Sequence, residues 1–126
     1  MARHGKSATA ALAISLALGV STASGEDPAK IDPSIYKCTL ENDRVRLCEV
    51  TFKPGAKIAL HWHPDRVVYS VGGGTLTVTG EDGKAKDYTY QAGQSFFFTA
   101  SSHAAVNNGN VEVKLVMVEL KQPAKK

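Results

Sequence analysis

The chain has 126 residues, 15 Lys+Arg against 12 Asp+Glu, and two cysteines. That length suits one domain with one modest core. With Arg3 and Lys6 of an N-terminal leader set aside, 13 basic residues face 12 acidic ones, so a near-neutral surface gives nucleic acid and anionic membrane no electrostatic handle.

Residues 1–23 read as a secretory signal peptide. Arg3 and Lys6 supply its positive start, and Ala8 to Val20 is an apolar run. That run is shorter than the roughly 20 residues needed to span a bilayer. Ser21-Thr22-Ala23 offers small residues for cleavage, with Ala23-Ser24-Gly25 as a second register. The expectation is an exported protein, periplasmic or secreted, with no stable membrane insertion. The alternative is an uncleaved N-terminal anchor. Residues 24–35 follow as an extended arm, in which Pro28 and Pro33 block regular structure.

Residues 36–120 read as strands throughout, with no amphipathic helix pattern. Short β-branched and aromatic runs end at turn signals. Tyr36 to Leu40 and Val45 to Glu49 flank Asn42-Asp43, a turn pair. A turn centred on Asp43 sets Cys38 opposite Cys48, and export would let a disulfide persist there. The alternative is two reduced, buried cysteines acting as small hydrophobes. Further strands run from Lys57 to Trp62, Val67 to Val71, Thr75 to Thr79, Lys84 to Tyr90, Ser95 to Thr99, His103 to Val106 and Val111 to Leu120. Period-two alternation puts Phe96 and Phe98 on one face and Phe97 on the other. The first reading is core filling; an exposed aromatic face would instead mark a homodimer contact. Residues 121–126 form a basic, solvated tail. Evenly spaced short strands with Gly-rich turns indicate an all-β sandwich or barrel.

His61, His63 and His103 are the three histidines that follow the leader. His61 and His63 stand two apart in a strand, so both imidazoles point the same way and Trp62 points the other. Imidazole is the commonest metal ligand, and closure of a barrel brings His103 opposite the pair.

Here the chain resembles the cupins, single-domain double-stranded β-helix (jelly-roll) barrels. Their first motif runs Gly, five residues, His-x-His, three or four residues, Glu, six residues, Gly. The matching positions are Gly55, His61, His63, Val67 and Gly74. Their second motif ends in His, three residues, Asn, matched by His103 and Asn107 after Gly93, with a longer gap and Gln91 at the proline. Glu41 to Arg46 and His61 to Asp65 are also similar to a group of small exported cupins, some linked by name to β-alanine degradation. The resemblance implies a metal site of His61, His63 and His103, holding one divalent transition metal (Fe, Mn, Ni, Cu or Zn). The family's glutamate is missing where Val67 stands. Asp65 is read as a solvated turn residue, and Glu49, Glu112 and Glu119 lie on other strands.

Val67, Tyr69 and Met117 are the candidate pocket residues, with Tyr69 sharing the parity of Val67. Two functions are open: a three-histidine, dioxygenase-like enzyme acting on a small polar molecule, or a non-catalytic metal- or ligand-binding module. A third possibility is a barrel that has lost its metal. Histidines with ordinary pKa values near 6.5 would release metal at about pH 6 and below.

Overall fold

The structure, a computed structural model, describes residues 25–122. The expected signal peptide and the end of the basic tail, 123–126, lie outside the described residues. In chain order the described elements are α1 (Pro28–Ile31), β1 (Tyr36–Glu41), β2 (Val45–Phe52), β3 (Lys57–His63), β4 (Arg66–Gly72), β5 (Gly74–Gly80), β6 (Ala85–Tyr90), β7 (Ser95–Phe98), β8 (Ser101–Val106) and β9 (Val113–Leu120). They build two antiparallel sheets, ordered β1-β2-β9-β4-β7 and β3-β8-β5-β6. The two sheets form the expected jelly-roll barrel.

Alternation along each strand decides what fills it. On β9, Val113, Leu115, Met117 and Glu119 are buried, while Val116, Val118 and Leu120 are partly covered on the outer face. Cys48, Val50 and Phe52 supply the inner face of β2, and Leu76 and Ala105 come from the opposing sheet. Phe96 and Phe98 pack against this core, whereas Phe97 is 59% exposed. Asn107, at the second motif's final position, is 1% exposed. Its amide donates to the carbonyls of Phe52 and Val111, at 2.9 and 2.8 Å, and its Oδ1 accepts from Gly109 N–H. It ties the turn after β8 to β2 and satisfies backbone groups that burial would otherwise orphan.

The arm departs from the extended expectation. Pro28 begins a one-turn helix rather than blocking one, because a proline at the first helical position sacrifices no hydrogen bond. Asp27 caps that turn by accepting Ala29 N–H at 3.0 Å. Just before it, Glu26 pairs in parallel with His61, and Trp62 N–H donates to its carbonyl at 3.1 Å. The arm thereby covers the free edge of β3, a place where unpaired backbone would otherwise be open. Gly25 passes so close that an added Cβ would sit 3.1 Å from the backbone of both His61 and Trp62.

Cys38 and Cys48 are direct partners across the β1–β2 hairpin and are joined by a disulfide. Closing a loop of separation 10 restricts the unfolded chain by about 2–3 kcal/mol. The oxidised protein should therefore contain no titratable thiol, and the Cys38→Ser/Cys48→Ser variant should unfold at lower urea by about that free energy. A thiol assay returning two groups per chain would contradict the pairing.

Candidate metal centre

His61 and His63 reach the barrel interior from β3, and His103 arrives from the neighbouring β8. His61 and His103 are register partners on adjacent antiparallel strands, which places their rings side by side on one face. Ring centroids are 4.7 Å apart for His61–His63 and His61–His103, and 5.1 Å for His63–His103. One ligand nitrogen from each lies within 4.8 Å of the others. His61 and His63 are 0% and 1% exposed.

The outward nitrogens of two rings are already committed. His61 Nδ1–H donates to the Ala59 carbonyl at 2.8 Å. A carbonyl can only accept, so His61 Nε2 carries a free lone pair, with the Tyr36 hydroxyl 3.4 Å from it. His63 Nδ1–H donates to Glu119 Oε1 at 2.7 Å, leaving its Nε2 unprotonated as well. Glu119 is 2% exposed, and its other oxygen accepts from Arg46 Nε at 2.7 Å. Arg46 in turn clamps Asp27 through both terminal nitrogens, at 2.7 and 2.9 Å. That contact holds the Asp27 carboxyl below its usual range. The chain Asp27–Arg46–Glu119–His63 thus runs from the arm to the ring. A carboxylate behind a histidine fixes its tautomer and orientation, as it does behind metal-binding histidines.

Burial is the main influence on the rings' basicity. It lowers the pKa of His61 to about 4 and of His103 to about 3, and lowers His63 too, against the pull of Glu119. The donor set is therefore three neutral imidazoles, with the lone pairs of His61 and His63 turned inward, which suits Zn, Cu, Fe or Ni.

Beside the cluster lies a cavity of about 120 Å³, lined by Tyr36, His63, Arg66, His103 and Met117 among others. Met117 takes its expected place. Val67 and Tyr69 do not: they are 41% and 48% exposed, and Arg66, Val68 and Ser70 face inward instead. Parity is lost at Pro64-Asp65, where the chain leaves one sheet for the other. Asp65 holds that crossing by accepting Ala100 N–H on its side chain and Leu120 N–H on its carbonyl. The inward counterpart of the motif's glutamate is thus Val68, which fits the four-residue form of the spacing. It too is apolar, so the carboxylate is missing on either count.

Sequence reasoning passed over Glu119, Arg66 and Tyr36. Glu119 was within reach, since it extends the inward series Val113, Leu115, Met117. Arg66 was not, because the parity change before it depends on the crossing between sheets.

A jelly-roll barrel with a His-x-His strand and a third histidine across the sheet defines a class of protein. The chain belongs to the cupin family, whose cupin domain model matches residues 48–119. Over 75 residues it is 37% identical to the oxalate decarboxylase of Bacillus subtilis (strain 168), in an alignment covering 56% of this chain. The chain spans only 19% of the length of that enzyme. A cupin domain from Bordetella pertussis superposes with a TM-score of 0.64 at 27% identity, covering 70% of this chain and 93% of that one. A cupin with a double-stranded β-helix fold from Methanocaldococcus jannaschii gives 0.58 at 14% identity, over 71% and 81% of the two chains.

The lowered pKa values fix a pH dependence. Between about 4 and the ordinary 6.5, an unfolded His61 binds a proton that the folded one refuses, so folding weakens as pH falls through that range. Metal-free protein should be most stable above about pH 6.5 and lose stability towards pH 4. Metal release by protonation moves down with it, below the pH 6 expected of ordinary histidines. Urea unfolding at a series of pH values measures the slope, and His103→Gln should flatten it. Identical slopes for the two proteins would show that His103 is not buried in the neutral form.

Proposed function

We propose that this is an exported, metal-binding cupin. His61, His63 and His103 hold one divalent transition ion, and a small polar molecule binds beside it in the barrel cavity. The observation that carries this reading is the convergence of three imidazoles, two of them buried, with the outward N–H groups of His61 and His63 spent on Ala59 and Glu119. Burial keeps the rings neutral, as ligands must be. When bound, such an ion supplies a Lewis-acid charge and open coordination positions. The cavity walls are mostly apolar, and Glu119 keeps the His63 lone pair aimed inward.

In its catalytic form this reading is a dioxygenase-like enzyme, in which His61, His63 and His103 would hold the ion that supplies the oxygen chemistry and the cavity would hold the small polar substrate beside it. The non-catalytic form, a ligand-binding or sensing module, draws support from Val68 at the carboxylate position and from the absence of any Asp or Glu among the cavity-lining residues. Export is supported by the leader pattern of residues 1–23 and agrees with the Cys38–Cys48 disulfide.

The same reading includes a homodimer. Phe97, Val67, Val118, Leu47 and Leu40 stand in register across β7, β4, β9, β2 and β1. They form one apolar row over the outer face of a whole sheet, with Phe97, Leu40 and Val67 each at least 41% exposed. Such a row on a free surface invites a partner.

Mature protein purified without chelator or affinity tag should carry near-stoichiometric iron, manganese, nickel, copper or zinc by elemental analysis. The His61→Ala/His63→Ala variant should carry none, and Glu119→Gln should bind roughly 10–100-fold more weakly. A folded wild-type protein that takes up no metal on titration would refute the reading. The identity of a bound metal separates oxygen chemistry from Lewis-acid or storage roles. Light scattering should give twice the chain mass, falling to one chain in Phe97→Ser; a wild-type monomer would remove the dimer from the proposal.

A further inference from the structure

Arg66 is the one cation that faces the cavity without a counter-ion among the described residues. It is 5% exposed, and a guanidinium cannot shed its charge to escape burial. Its hydrogen bonds all go to neutral oxygens and are long. Nη1 donates to the carbonyls of Pro64 at 3.4 Å and Thr99 at 3.2 Å, and both terminal nitrogens reach Ser101 Oγ at 3.4 Å. No described carboxylate lies within ion-pair distance. Glu119, its register partner on β9, spends both oxygens on His63 and Arg46. Asp65, its neighbour in the chain, is turned to Ala100 N–H. An uncompensated buried charge costs several kcal/mol. Phe98, whose ring centre lies 5.1 Å from the guanidinium carbon, offsets part of this through its π-face.

The surroundings say what would complete the pairing. Arg66 and Ser101 line the same cavity as His63 and His103, and the remaining lining residues include no acid. Ser101 is exposed, so the cavity opens beside it and an entering molecule meets the guanidinium near the mouth. The volume, about 120 Å³, is close to that of engineered cavities that hold benzene, so it takes about six non-hydrogen atoms. The walls are otherwise mostly apolar, as Leu76, Phe98 and Leu115 show. A planar fork of N–H groups matches a carboxylate with two parallel hydrogen bonds.

We propose that Arg66, with Ser101, is an anion subsite of the cavity and that the molecule it takes is a small carboxylate whose carbon body extends towards the three histidines. The role of the metal at the far end rests on the function proposed above; the Arg66 end does not. The specificity follows from charge and size. A neutral amide of the same shape leaves the guanidinium unpaired, and an acid larger than the cavity has to project through its mouth.

Butanoate and butanamide, each with six non-hydrogen atoms, are matched probes. Calorimetric titration of chelator-stripped full-length protein at neutral pH should show butanoate binding roughly tenfold or more tighter than butanamide, the value of a charge-assisted pair of hydrogen bonds. Arg66→Met should lose that preference, and Arg66→Lys, with a charge but no fork, should keep part of it. Equal binding of the two probes, no saturable butanoate binding, or an unchanged preference in Arg66→Met overturns the proposal. The wild-type comparison decides the matter even if Arg66→Met fails to fold. Parallel titration of zinc-loaded protein keeps the two readings apart: a protein that takes up no zinc but still prefers butanoate retains the subsite and loses the metal.

Discussion

The buried carboxylate of Glu119 is the group on which this architecture turns. An ionised side chain at 2% exposure is tolerable only if its lone pairs are occupied, and both occupants come from other strands. His63 on β3 satisfies one oxygen and Arg46 on β2 the other. Arg46 is itself held by Asp27 of the arm, which also caps the short helix. A single electrostatic requirement thus links the arm, both sheets and one ring of the three-histidine cluster. Removing one partner of such a buried network leaves an uncompensated charge, which costs about 3–5 kcal/mol. The same contact that stabilises the fold therefore orients a candidate ligand.

The cavity carries a second, opposite imbalance. Its histidines are neutral because burial makes their protonation unfavourable, most strongly for His103, where the other two rings and Arg66 add to the effect. Arg66 has no such escape and stays charged. The barrel interior is consequently electropositive before any metal is bound, and a divalent ion would make it more so. Both features favour an anionic guest over a neutral one. The missing carboxylate acts in the same direction, since Val68 leaves charge that a glutamate would have cancelled.

Stability and function are partly separated in space. The disulfide lies on the β1–β2 hairpin, with Cys48 at 0% exposure, and Asn107 pins the turn at the end of β8. Neither lines the cavity. The exposed row from Phe97 to Leu40 lies on the outer face of the sheet, turned away from the histidines. Association through that face would leave the mouth beside Ser101 free.

Much of this was legible in order along the chain. The strand pattern, the hairpin that pairs Cys38 with Cys48, the shared face of His61 and His63 and the opposite facing of Phe97 from Phe96 and Phe98 all follow from period-two alternation and local turn chemistry, which act over a few residues. Local rules failed at Pro28, where the first helical position reverses the usual meaning of proline, and at Pro64-Asp65, where the chain changes sheets. That crossing resets which parity faces inward, so Val67 and Tyr69 point outward while Arg66 and Val68 point in. The sequence by itself therefore determined the all-β architecture and the identity of the three histidines. Only the tertiary structure decided that Glu119 stands behind His63 and that Arg66 faces the cavity unpaired. Both depend on strand neighbours more than 50 residues apart or on a change of sheet, and alternation within one strand carries no information about either.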